Sequence, residues 1–354
     1  MLFRSLRFKQ LGMVQIASYF IGYILVGLPM AYTGHGVYAL VSAWITQVLA
    51  TFIGTYGLEK HTIKPLFHYE DSKNAFNIGA TVFFINIINW ALTNLDRTVL
   101  GRLLNPTAVG NYTLAYNLAV MPSNMLMSSL QPAFTAAGAH LSQQRERLYS
   151  AYAQIMGAIL VLVLPTFAAL AVCAPDLIWV MYGDKWTSSG PVLSVLFLAM
   201  PLLIVLGVST PVLANTNKLQ QEFWVQVPIL CAAIPAFYLL TTSPVSAAII
   251  ALAVLLFRSL FMVAAALRAL DSSSQPILAD LCRGVILSAL TASMAYGIKL
   301  LLVKWNLPII NLVLTGFCGL VALLSIVILV PTYLGPRALS MLQRFGFKAH
   351  TENS

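Results

Sequence analysis

The sequence predicts an all-α polytopic membrane protein with about ten transmembrane helices, and three observations carry that prediction. Hydrophobic residues make up 59% of the 354-residue chain and charged residues only 9%, at a mean hydropathy of +0.83; soluble domains carry about 25% charged residues. The apolar residues gather in stretches of roughly 20, the length a helix rising ~1.5 Å per residue needs to cross a ~30 Å hydrocarbon core. The alternating segments of about ten residues that mark a membrane barrel are absent. Lipid offers no partner to an open amide, so stretches of this kind read as helices.

Taken in order, the first span, 11–31, follows Arg4, Arg7 and Lys9 and so imitates a secretory signal. Its length, and a second span at 36–58 across Thr33-Gly34-His35-Gly36, make it a retained helix. Spans at 75–95 and 108–134 meet through Asn105-Pro106. Spans at 151–172 and 190–213 flank a break at 173–190 that carries Trp179, Tyr182 and Trp186. That break is aromatic and apolar enough to lie flat in the interface as a short amphipathic helix. Spans at 223–241 and 244–267 meet at Ser243-Pro244, and those at 283–303 and 308–334 at Leu307-Pro308. Cys173, Cys231, Cys282 and Cys318 form no CxxC pair and read as small core residues. Prolines within or beside the spans, such as Pro122, Pro165, Pro201 and Pro228, mark kinks, whether static or hinge-like.

The formal net charge of +9 invites a nucleic-acid reading, but its distribution points to the membrane. Of the 20 Lys and Arg residues, only Arg97, Arg102, Lys185, Lys299 and Lys304 fall on the side opposite the N-terminus, and Arg258 lies inside a span. Basic residues concentrate in cytoplasmic loops, so both termini are expected in the cytoplasm, with the basic loops against anionic headgroups. No nucleic-acid partner is expected.

Polar groups inside a bilayer are costly and are functional candidates by default. Asn86, Asn89, Thr93 and Arg97 recur at steps of three and four, which puts them on one helical face, with Asp96 beside Arg97 near the outer end. Thr113, Asn117, Asn124, Ser128 and Gln131 form a second stripe on the next span. Each stripe lines a watery cavity or glues helices through hydrogen bonds. Asp96 is either a local partner of Arg97 or an ion-coupling group. Arg258 stands alone among Leu255, Leu256, Phe257 and Leu260, about nine residues or roughly 13 Å from the nearer helix end. It either snorkels toward the interface or offers a cavity a permanent cation that matches phosphate oxygens. Of the acidic residues, only Asp96 and Glu222 come close to a span.

The sequence contains no phosphate-binding GxxxxGK[ST] loop, HExxH, GxSxG or paired carboxylates at catalytic spacing. No catalytic residue, metal site or organic cofactor is therefore expected. Moving a substrate suits this chain better than chemistry on one.

One stretch is specific. From Asn94 the chain reads Asn-Leu-Asp-Arg-Thr-Val-Leu-Gly-Arg-Leu-Leu-Asn-Pro-Thr-Ala-Val-Gly-Asn-Tyr-Thr-Leu-Ala-Tyr-Asn-Leu-Ala-Val-Met-Pro, continuing to Pro132-Ala133-Phe134 and Gln144-Arg145-Glu146-Arg147-Leu148. It resembles the NxDxxxxGRLLxPxxxGxYxxAYxLxxxP…PAF signature of Wzx-type polysaccharide and lipopolysaccharide flippases, in the superfamily that also holds the multidrug (MATE) exporters. The basic run Arg4-Ser5-Leu6-Arg7-Phe8-Lys9 resembles the loop before those proteins' fifth helix.

The resemblance implies two six-helix lobes plus two further helices. On that pattern 1–58 is the last two helices of the first lobe, 75–267 a complete second lobe, 268–334 the two additional helices and 335–354 a cytoplasmic tail. Four N-terminal helices of the family pattern are missing, so the expectation is an N-terminally truncated member. The implied activity is movement of undecaprenyl-diphosphate-linked oligosaccharide across the bacterial inner membrane by alternating access, for surface polysaccharide biosynthesis, alongside polysaccharide polymerase machinery. Asn86, Asn89, Arg97, Arg102, Asn117 and Arg258 are the substrate-cavity candidates, and Asp96 is the candidate for coupling to a proton or sodium ion. The alternatives are a small-molecule or drug antiporter of the same superfamily, a membrane enzyme such as a polymerase, and a non-transporting remnant. The antiporter requires an acidic group deep in the membrane, and the enzyme a sizeable outer loop.

Overall fold

The computed structural model describes residues 8–58, 69–141 and 144–302, together with Ile309 and 314–316. The predicted last span at 308–334, the tail at 335–354, Cys318 and the basic residues Arg4 and Arg7 thus lie wholly or almost wholly outside the described residues. Among the described residues every regular element is a helix. Seven helical stretches are long and apolar enough to cross a bilayer. The chain is an all-α, multi-pass membrane protein. It divides into two compact units, Met1–Lys73 and Asn74–Ser354.

The first unit is a helical hairpin. Helix α1 (Phe8–Tyr19) runs through a π-helical segment (Phe20–Gly27) into α2 (Leu28–Tyr32), and after a turn α3 (Val37–Leu58) returns. The turn needs its glycines, since Gly34 and Gly36 both have positive φ (82° and 53°). Small residues let the two backbones approach: Ser18, Gly22, Gly27, Ala39 and Ala43 are the buried positions. A Cβ on Gly22 would lie 2.6 Å from the Ala43 carbonyl oxygen. In lipid, where apolar surface gains nothing by association, such close packing holds helices together.

The second unit is a bundle around α8 (Ser189–Asn215), the element with the most buried positions. Its apolar faces pack against α5 (Pro106–Leu141), α7 (Leu164–Tyr182) and α10 (Pro244–Ala269). Helix α4 (Tyr69–Leu103) precedes α5, and α9 (Leu219–Leu240) and α11 (Gln275–Leu302) complete the set. Ser243 caps α10 with a reciprocal Ser243–Ser246 capping box ahead of Pro244. Gly284 brings α11 against the backbone of a π segment, Ile159–Val163, where a Cβ would collide with the Leu160 carbonyl.

Several boundaries differ from the sequence reading, among them the start of α11, eight residues before the predicted 283. Helices α4 and α5, at 35 and 36 residues, extend well beyond the predicted 75–95 and 108–134, because their polar ends stay helical past the apolar stretch. They are also the long helices that fall outside the apolar set, as expected of elements with polar faces. The break at 173–190 is for the most part not a separate helix. Helix α6 (Arg145–Ala158), the π segment and α7 form one helical stretch, Arg145–Tyr182, because Cys173, Ala174 and Ile178 are buried in the bundle; only Asp184–Trp186 forms a separate short turn of helix. Of the described cysteines, Cys231 and Cys282 are exposed rather than core residues.

Candidate functional site

Two buried polar clusters lie in the second unit, one on either side of a small cavity. The first is built on Asp96 of α4. Tyr112 of α5 donates its hydroxyl to Asp96 Oδ2 at 2.6 Å, and the Arg97 backbone N–H donates to Oδ1 at 2.7 Å. The Arg97 side chain lies 3.6 Å from the same carboxylate, donates to the Thr93 carbonyl at 2.9 Å, and covers the Tyr116 ring at 4.1 Å. Asp96 and Tyr112 are buried at 4% and 0% exposure. Both carboxylate oxygens are thus engaged, while Arg97 Nε, alongside, makes no hydrogen bond.

The second cluster gathers four helices around Glu222 and Arg258. Arg258 of α10 donates through Nη2 to Asn89 Oδ1 of α4 and to Gln226 Oε1 of α9, the latter at 3.1 Å. Glu222 of α9 accepts at Oε1 from Gln226 at 2.7 Å and, over longer contacts, from Asn89 at 3.4 Å and Thr210 of α8 at 3.5 Å. Glu222, Gln226 and Arg258 are buried at 1%, 1% and 6% exposure. Two atoms in this cluster, Glu222 Oε2 and Arg258 Nε, make no hydrogen bond. The carboxylate sits in the first turn of α9, where the helix N-terminus favours negative charge.

The cavity, of about 30 Å³, is lined by Thr93, Asp96, Tyr116 and Arg258 on its polar side and by Met200 and Phe237 among others on its apolar side. It has the volume of roughly one water. Arg258 therefore faces the Glu222 cluster and the cavity at once.

Among the sequence candidates, Asp96 and Arg258 line this cavity, Arg97 stands beside Asp96, and Asn89 is bonded to Arg258. Asn86, Arg102 and Asn117 do not join them: all three are exposed. Asn117 continues into an exposed stripe on α5 with Asn124 and Ser128, interleaved with the exposed Met121 and Met125. Sequence reasoning gave no site role to Glu222, Gln226, Thr210 or Tyr112. A Glu and a Gln four residues apart at the head of an apolar span, both facing inward, were the available signal for the first two.

A family model described as "Polysaccharide biosynthesis protein" matches residues 1–191. The chain belongs to this polysaccharide biosynthesis family. Its relatives include the lipopolysaccharide biosynthesis protein WzxC of Escherichia coli K12, 26% identical over 54% of this chain and 39% of the relative. The succinoglycan biosynthesis transport protein ExoT of Rhizobium meliloti is 23% identical, over 63% of this chain and 45% of ExoT. The teichuronic acid biosynthesis protein TuaB of Bacillus subtilis is also 23% identical, over 63% and 47%. The chain spans about half or less of the length of these relatives. Among solved structures it resembles the lipid II flippase MurJ in an inward closed conformation, with a TM-score of 0.66 at 13% identity, covering 95% of this chain and 67% of that one. At that identity the likeness speaks for the fold. This family member is thus a MurJ-like polytopic membrane protein.

Proposed function

We propose that this chain takes part in moving undecaprenyl-diphosphate-linked oligosaccharide across the bacterial inner membrane, with both termini in the cytoplasm. The observation that carries the reading is the exposed stripe of Asn117, Asn124 and Ser128 along α5. Polar side chains at mid-helix positions of a membrane bundle are retained where they face water or a polar cargo. A sugar chain offers hydroxyls to amides of this kind. A diphosphate calls for a guanidinium, and Arg258 and Arg97 are the residues proposed to meet it at the cavity, with Asn89 beside Arg258; the exposed Asn86 and Arg102 are proposed to meet the cargo elsewhere along its path. Catalysis has no part in this proposal.

The small-molecule antiporter of the same superfamily calls for an unbalanced acidic group deep in the bundle. Asp96 and Glu222 are buried, but Arg97 and Arg258 stand beside them, so neither cluster carries the net negative charge that would draw in a cation.

The test is deletion in the native host. Loss of the gene should stop surface polysaccharide production and leave undecaprenyl-diphosphate-linked oligosaccharide on the cytoplasmic side, and re-expression should reverse both. Unchanged surface polysaccharide with no stranded intermediate would sink the proposal.

A further inference from the structure

We propose that Glu222, rather than Asp96, carries a coupling proton, and that it does so by giving up Arg258 to the diphosphate of the cargo. The inference rests on the transport reading and assigns its coupling group. The two buried carboxylates differ in how their oxygens are engaged. Asp96 has Oδ1 and Oδ2 both engaged, by the Arg97 N–H and the Tyr112 hydroxyl. Glu222 is different: Oε1 takes every hydrogen bond and Oε2 takes none, at 1% exposure. A proton can add to Oε2 without displacing a donor.

The charges around Glu222 set the consequence of that protonation. Arg258 is the cation of the cluster; Asn89, Thr210 and Gln226, the neighbours from α4, α8 and α9, are neutral. Across the cavity stand Asp96 and Tyr116, with Arg97 and Tyr112 behind them. Lys218, one turn ahead of Glu222, makes no salt bridge with it among the described residues. With Glu222 ionised, its charge and that of Arg258 cancel. Once Oε2 is protonated, Arg258 is a buried cation without a counter-ion, a state costing several kcal/mol in low dielectric. An entering phosphate oxygen gives Arg258 a new counter-ion. The diphosphate diester brings two negative charges, Arg258 answers one of them once Glu222 holds the proton, and no bond to phosphorus forms or breaks.

The exchange also has a mechanical side. Arg258 Nη2 ties α10 to α4 through Asn89 and to α9 through Gln226. The present cavity of about 30 Å³ is far too small for a diphosphate, so Arg258 meets one only as those ties are released. Proton and cargo must then favour each other's binding by the same factor.

The test uses the purified full chain in detergent micelles and a farnesyl-diphosphate-linked N-acetylglucosamine, a diester whose diphosphate does not titrate near neutral pH. Calorimetry in weak buffer should show uptake of about one proton per molecule bound, with affinity rising about tenfold for each unit fall in pH while Glu222 is ionised in the free protein. Glu222→Gln should bind at the wild-type low-pH affinity with no proton uptake and no pH dependence. Asp96→Asn should keep the slope, and Arg258→Gln should lose binding. Binding by the wild type without proton uptake overturns the proposal, as does a slope that survives in Glu222→Gln or disappears in Asp96→Asn. If Glu222→Gln folds poorly, Asp96→Asn still decides between the two carboxylates, and a wild type that binds without proton uptake overturns the proposal by itself. Absence of binding at every pH removes the transport reading itself, an outcome distinct from binding without a proton.

Discussion

Tyr112 and Asp96, sixteen residues apart on consecutive helices, share a 2.6 Å hydrogen bond with both side chains buried. The bond fixes the register of α5 against α4 at the end where the chain turns through Asn105-Pro106. It also keeps a carboxylate in the bundle with both oxygens satisfied. Removing the hydroxyl alone strips a partner from a buried charge, and an orphaned group of this kind costs about 1–3 kcal/mol. Tyr112→Phe should therefore lower the unfolding temperature in detergent, while Tyr112→Phe combined with Asp96→Asn should recover part of the loss. An unchanged melting curve for the single variant would show that the bond contributes nothing to stability.

Arg258→Ala leaves Glu222, joined to it through Asn89 and Gln226, buried without its neighbouring cation, and removing one charge of a buried network costs up to about 3–5 kcal/mol. Replacing both partners by leucine removes the desolvation penalty together with the attraction, so the double variant should be more stable than Arg258→Ala. Chemical denaturation of the three proteins reads this directly. A double variant as weak as the single one would mean that Arg258 stabilises through packing of its stem rather than through its charge.

The exposed stripe on α5 separates the two roles polar residues play in membranes. Asn117→Leu and Asn124→Leu remove amides that face outward, so stability should hold within about 0.5 kcal/mol, as for surface substitutions generally. Surface polysaccharide should nonetheless fall in cells carrying both. If these amides are glue between helices, the melting temperature will drop instead.

The hairpin of the first unit depends on close backbone approach at Gly22. Gly22→Ile should wedge the two helices apart, since even a Cβ there lies 2.6 Å from the Ala43 carbonyl oxygen. The readout is a disulfide between Val14→Cys and Gly54→Cys, positions in contact across the same hairpin. It should form readily with Gly22 present and be lost in Gly22→Ile; a crosslink that persists would argue against small-residue packing as the hairpin's support.

Much of the fold could be read from the order of residues. A bilayer forces every amide to be satisfied within its own segment, so segment length and apolarity suffice to place α1 through α3 and α8 through α10 within a few residues. The same cost of burying charge singled out Asn89, Asp96, Arg97 and Arg258 before any helix had a neighbour. Helix ends were less legible where the chain stays helical in the polar region, as at α4, α5 and the Cys173–Tyr182 end of α7, because hydropathy reports the solvent and not the backbone.

What only tertiary structure decided is who answers each charge. Asn89 meets Glu222 across 133 positions of chain and Arg258 across 169, and no periodicity encodes such a meeting. One-dimensional pattern fixes the face on which a side chain lies, since that follows from 3.6 residues per turn. Which helix stands opposite depends on packing around α8. That packing alone gave both Asp96 oxygens a donor, Tyr112 among them, and left Glu222 Oε2 with none.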